Sequence, residues 1–128
     1  MSRRDARDIA FKLIFSYTFD NEKNVDAMEE YTLSVDAEDK AYVLEVYNGV
    51  IEHYDELMED IKNNAEKFDV GRIFKTDLAV ILLALYEIKF MSSIPFKVSV
   101  DEAVTLAHKY STDKSGKYIN GILSKFAR

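Results

Sequence analysis

Apolar positions recur along the chain with a period near 3.6 residues, and no stretch alternates strictly between apolar and polar. From residue 2 to about 19, Ala6, Ile9, Ala10, Leu13 and Tyr17 fall on one face, the stripe of a helix laid on a core. Arg3, Arg4, Arg7, Phe11 and Phe15 fall on the adjoining face. The polar run 20–24 ends this helix, and residues 25–33 read as a short, weakly amphipathic one. Asp36 then stands as N-cap to a long helix over residues 37 to about 68, with a bend expected at Gly49, where helix propensity drops by ~1 kcal/mol relative to alanine.

Asp69, Val70, Gly71 and Arg72 interrupt the pattern and divide two helical subdomains, about 1–68 and about 69–128, that share one core. Ile73 and Phe74 suit one further helical turn before Thr76 caps the next helix. Residues 77 to about 90 are apolar on nearly every side, which marks a central helix covered by others. Ser92, Ser93 and Pro95 stop it, and Ser99 with Glu102 fits the S-x-x-E capping box of a helix running to about 110. After the polar loop 111–116, the last helix spans about 117–127, with Ile119, Ile122, Leu123 and Phe126 on one face. Gly121 on that helix is expected to admit close approach of another. The fold class is therefore all-α, with no repeat or low-complexity tract.

Composition narrows the function more than the fold. The 128 residues contain no cysteine, which excludes disulfides, thiolate metal sites and cysteine nucleophiles and suits a reducing, cytoplasmic setting. The longest uncharged apolar run, from Leu78 to Tyr86, is about half what a membrane-spanning helix needs. The N-terminus has no apolar segment of the secretory kind. His53 and His108 lie far apart without neighbouring ligands, so they do not read as a metal pair. Adjacent acids such as Glu29-Glu30 and Asp55-Glu56 point about 100° apart on a helix and read as solvated faces. No nucleophile elbow and no complete phosphate loop occurs, so neither catalytic residues nor cofactor sites are expected.

The formal net charge of −6 conceals an uneven distribution. Residues 20–60 hold fourteen acids against two lysines, whereas residues 1–19 carry four basic residues against two acids, and residues 108–128 five against one. Both ends are thus locally basic, and local field rather than total charge governs contact with phosphates. Arg7, Phe11 and Phe15 form an i, i+4, i+8 file beside Arg3 and Arg4. Guanidinium donors next to aromatic faces suit single-stranded RNA, whose bases stack on rings. Tyr110, Lys114, Lys117, Tyr118 and Lys125 offer the same mixture at the other end, and the two patches become one surface if the first and last helices pack together. The alternative is that the phenylalanines belong to a wide core stripe and the arginines merely solubilise the helix end.

The motifs also resemble a known family. Arg3-Arg4-Asp5-Ala6-Arg7-Asp8, with Phe15-Ser16-Tyr17 behind it, is similar to the R-R-x-A-R-E opening of the NusB family. Ala84-Leu85-Tyr86-Glu87, Ile94-Pro95-Phe96-Lys97-Val98, Asp101-Glu102-Ala103-Val104 and Lys117-Tyr118-Ile119-Asn120-Gly121-Ile122-Leu123 follow the family pattern in order and spacing. The resemblance implies about seven helices in two packed subdomains and a non-enzymatic adaptor without cofactors. It implies binding of boxA RNA in nascent transcripts, notably of ribosomal RNA operons, together with the ribosomal protein NusE and the RNA polymerase antitermination complex.

By position, the resemblance assigns RNA contacts to Arg3, Arg4, Arg7, Phe15, Tyr110, Lys114, Lys117 and Tyr118, and a NusE contact to Asp77. Asp5, Leu82, Asp101 and Lys114 depart from the family pattern. Asp5 weakens the expected RNA field, and Lys114 strengthens it. Monomer and homodimer are both open at this level. The competing reading from a different class is a helical protein-interaction module without specific RNA binding.

Overall fold

A computed structural model describes residues 2–65 and 73–127. Among these residues there are seven α-helices and no strand: α1 (Arg3–Asp20), α2 (Val25–Tyr31), α3 (Ala37–Glu52), α4 (Tyr54–Asn64), α5 (Lys75–Phe90), α6 (Phe96–Tyr110) and α7 (Ser115–Leu123), the last continued by a 3₁₀ turn (Ser124–Phe126). The expected division at 69–71 lies outside the described residues.

Helix α1 starts where a capping box forms: the Ser2 hydroxyl accepts from the Asp5 amide at 3.2 Å, and the Asp5 carboxylate accepts from the Ser2 amide at 3.0 Å. It ends on Asn21, whose left-handed backbone (φ 57°) closes the last turn. Helix α5 is the hub, buried from Asp77 through Ile88, as its all-round apolar sequence predicts. Helices α1, α3 and α6 pack on it, and α7 closes the far side against α6. Leu13, Ile14, Tyr47, Leu57, Ile81, Leu85, Ile119 and Leu123 fill the core. Leu82, one of the departures noted above, is fully buried there, and Asp101, another, is exposed.

Several local expectations are corrected. The long helix over 37–68 is two helices, and the break falls at His53 rather than Gly49. Gly49 stays within α3, and its missing β-carbon admits the Tyr86 ring, which a β-carbon there would strike. The close-approach glycine is therefore Gly49, not Gly121, where a β-carbon would meet nothing within 4 Å. Thr76 lies inside α5, whose N-cap is Phe74, and Ile73 and Phe74 form no helical turn.

Helix α6 begins at Phe96, with Pro95 at the N-cap (φ −60°), three residues before the expected box. Ser99 and Glu102 are thereby moved into the helix, and each makes a tertiary bond instead. Helix α7 likewise starts two residues early, at Ser115. No helix among the described residues is long and apolar enough to cross a membrane.

Candidate nucleic-acid interface

The first turns of α1 present the three arginines of the N-terminal motif, and each meets acids from a different helix. Arg7 is 4% exposed, so the expectation that it lies on the surface is corrected. Its Nε donates to Glu87 Oε2 at 2.9 Å and its Nη2 to Oε1 at 3.2 Å, a fork matched to a carboxylate. Glu87 itself is fully buried and also accepts from the Tyr42 hydroxyl and, at 2.8 Å, from Ser99 Oγ. Burial, reinforced by the Glu87 charge, pushes the Tyr42 hydroxyl well above the usual tyrosine range. A buried ion pair satisfied in this way is a structural unit, and it leaves Arg7 no face for a phosphate.

Arg3 rests over the Tyr42 ring, 4.5 Å from its centre, and pairs with Asp39 at 3.5 Å and Glu38 at 3.7 Å on α3. Arg4 reaches α6, where its Nε and Nη2 each lie 3.1 Å from a Glu102 oxygen. Its side chain nevertheless stays 63% exposed. Asp8 takes Lys109 at 2.6 Å. The local excess of positive charge read along the chain is thus offset in space, because acids from α3, α5 and α6 converge on the arginines.

Beside this cluster runs an aromatic row. Phe11 stacks on Tyr110 at 4.7 Å and on Phe15 at 5.9 Å, and Phe15 meets the edge of Phe19 at 5.0 Å. Phe11 is core, as the wide-stripe alternative proposed, whereas Phe15 and Tyr110 are half-buried and Phe19 is exposed. Lys109 sits 5.2 Å over Tyr110 and Lys75 5.6 Å over Phe19. The row joins the two ends of the sequence through α6 rather than through the last helix. Phe19 was missed in the sequence reading, although continuing the i, i+4 spacing from Phe11 and Phe15 points to it.

The remaining candidates divide between two clefts. One, of about 330 Å³, is lined by Ile73, Phe74, Asp77, Thr112, Lys114, Ser115 and Tyr118. Asp77 is 4% exposed in its floor and accepts from Ser111 Oγ at 2.6 Å and Ser115 Oγ at 3.1 Å, which ties the start of α5 to the end of α6 and the start of α7. Phe74 and Lys114 are exposed at this cleft. Burial, aided by the Asp77 charge, raises the Tyr118 hydroxyl. Lys117 lines the other cleft, with Asp101, His108, Gly116 and Asn120, and so does not join Lys114. Lys12, Lys114 and Lys117 make no ion pair among the described residues. No set of three His, Cys, Asp or Glu side chains among those residues is grouped to hold a metal ion.

Residues 4–128 match the model of the NusB family. The transcription antitermination protein NusB of Agathobacter rectalis is 42% identical over 132 residues, which cover 99% of this chain and 100% of that protein. The solved structure of T. maritima NusB superposes with a TM-score of 0.91 at 32% identity, covering 99% of this chain and 91% of that one. A structure of antitermination factors NusB and NusE in complex with dsRNA shares the fold, with a TM-score of 0.86 at 22% identity over 97% of this chain and 94% of that one.

Proposed function

The chain belongs to the NusB family, and we propose that it is a non-catalytic RNA-binding adaptor in transcription antitermination. In this reading it binds boxA RNA of nascent transcripts in the cytoplasm, pairs with NusE and joins the RNA polymerase antitermination complex. The observation that carries the reading is the family match over residues 4–128, end to end with a relative of that name at 42% identity. The geometry supports it with half-buried Phe15 and Tyr110 in an aromatic row, and with exposed Lys114 and Lys117, which make no ion pair among the described residues.

The residues divide the work unequally. Phe15 and Tyr110 offer faces for bases, each stack contributing ~1 to 3 kcal/mol. Exposed Arg4, Lys114 and Lys117 meet phosphates, while Arg3, held over Tyr42, sits at the edge of that surface. Arg7 acts as a positioning residue that locks α1 onto α5. Asp77 forms the floor of the cleft into which the NusE partner docks, with Phe74 as a contact point, while Lys114 and Tyr118 at the same cleft face the RNA. The two helical subdomains, divided at about 69–71, present these surfaces around the shared α5.

The test is fluorescence anisotropy of a short labelled boxA-like RNA and a scrambled control, across several salt concentrations, with and without NusE. Tighter, sequence-dependent binding with NusE present supports the adaptor. Absence of any RNA preference in both settings moves the function to the protein-interaction module.

A further inference from the structure

The pairing of Arg4 with Glu102 occupies the donors that a phosphate would take. Arg4 lies at the start of α1 and Glu102 on α6, 98 positions apart in the chain, and the two N–H···O contacts of 3.1 Å form a bidentate fork. A phosphate presents the same planar pair of acceptors to an arginine as a carboxylate does. Glu102 is therefore an internal mimic of the ligand. Its side chain is only 17% exposed, held between Arg4 and, at 3.9 Å, the Nη1 of Arg7, so it does not readily swing away. Arg7 does not need it, because Glu87 already satisfies that guanidinium.

We propose that the Arg4–Glu102 ion pair is an autoinhibitory contact: Glu102 competes with RNA phosphate for Arg4 and sets the resting RNA affinity of this protein low. This rests on the RNA-binding reading above. The neighbouring pairs Arg3–Asp39, Arg3–Glu38 and Lys109–Asp8 likewise offset Arg3 and Lys109, whereas Lys12 on α1 makes no ion pair among the described residues. Binding of a polyanion there starts from a neutralised surface, and base stacking on Phe15 and Tyr110 carries a larger share of the affinity than charge does. Arg4 is the switchable member, since its side chain is 63% exposed while Arg7 is enclosed.

The experiment compares wild type, Glu102→Gln, Glu56→Gln and the double variant Arg4→Gln/Glu102→Gln, with boxA-like and scrambled single-stranded RNA at several salt concentrations. Glu102→Gln is expected to tighten binding of both RNAs by up to roughly five-fold, the equivalent of releasing one surface ion pair. The slope of log affinity against log salt should steepen for the scrambled RNA by about 0.7, one added phosphate contact on a single strand. Glu56→Gln removes an equal charge from a pair with Lys89, outside both clefts and the aromatic row, leaves Lys89 paired with Asp60, and should leave both affinities at the wild-type level.

The double variant should lose the gain, which shows that it runs through Arg4. Thermal melting of each variant establishes that it is folded. If wild type binds RNA and folded Glu102→Gln binds no tighter, the inference falls and the RNA reading stands. Weaker binding by Glu102→Gln also overturns it, by making Glu102 a support for Arg4. If neither wild type nor Glu102→Gln binds either RNA, both readings fall.

Discussion

Arg7 and Glu87, 80 positions apart in the chain, form a bidentate ion pair sealed between α1 and α5, with Tyr42 and Ser99 completing the coordination of the carboxylate. The arginine of the N-terminal motif that the sequence places beside Arg3 and Arg4 is thus a core residue. Removing one partner of such a pair leaves an uncompensated buried charge. Arg7→Ala is expected to lower stability by about 3 to 5 kcal/mol. Urea denaturation reads this directly, and a loss below about 1 kcal/mol would show that the pair is dispensable to the fold.

The same network is expected to make the protein sensitive to alkali. In the folded state burial, and then the Glu87 charge, raises the Tyr42 hydroxyl above its ordinary value, so the protonated form is favoured. Its contribution to stability is fully present below the unfolded tyrosine value of about 10 and is lost as pH rises beyond it. Absorbance titration should show Tyr42 ionising only together with loss of helical circular dichroism. Tyr42→Phe should weaken the alkaline dependence. Ionisation of Tyr42 at an ordinary pH in the folded protein would contradict the buried bond to Glu87.

Two helical glycines are expected to respond oppositely to alanine. At Gly49 a β-carbon would strike the Tyr86 ring, itself held by Phe90 at 5.0 Å, so Gly49→Ala should destabilise by roughly 1 to 3 kcal/mol. At Gly121 there is open space and no unusual backbone, so Gly121→Ala should be neutral or stabilising by up to about 1 kcal/mol. Comparing the two melting temperatures decides the matter, and equal shifts would refute the assigned contact between Gly49 and Tyr86.

Asp77 combines a structural role with the proposed partner contact. Asp77→Ala removes the buried carboxylate that accepts from Ser111 and Ser115, leaving those hydroxyls only each other, Thr76 and Thr112 as partners, and is expected to cost about 1 to 3 kcal/mol. Phe74→Ala, at an exposed side chain, should leave stability unchanged while weakening NusE binding. Denaturation and calorimetric titration with NusE separate the two effects. Normal NusE binding by Phe74→Ala would remove the rim of that cleft from the interface.

The helical class and the central place of α5 were legible because both depend on the spacing and density of apolar residues over one helix. The end-to-end family resemblance was legible because its motifs are short runs in a set order. Helix starts were harder to read. Ser99 and Glu102 satisfy a capping pattern, but Pro95 starts the helix earlier, and both side chains find partners on other helices. In the candidate interface, Phe15 and Tyr110 were named from sequence, whereas the link between them through Phe11 required the end of α6 to lie beside α1.

By itself, the sequence determined an all-α chain, its buried hub helix, the absence of cysteine chemistry and the family. Tertiary structure decided which arginines are available, which glycine admits a neighbour and how the aromatic residues join. The reason is the range of the forces involved. Apolar periodicity and capping act within a few residues, so they are written locally. Charge compensation acts through space, and the partners of Arg3, Arg4 and Arg7 lie 36, 98 and 80 positions away. Only the packing of α3, α5 and α6 around α1 brings those acids into place.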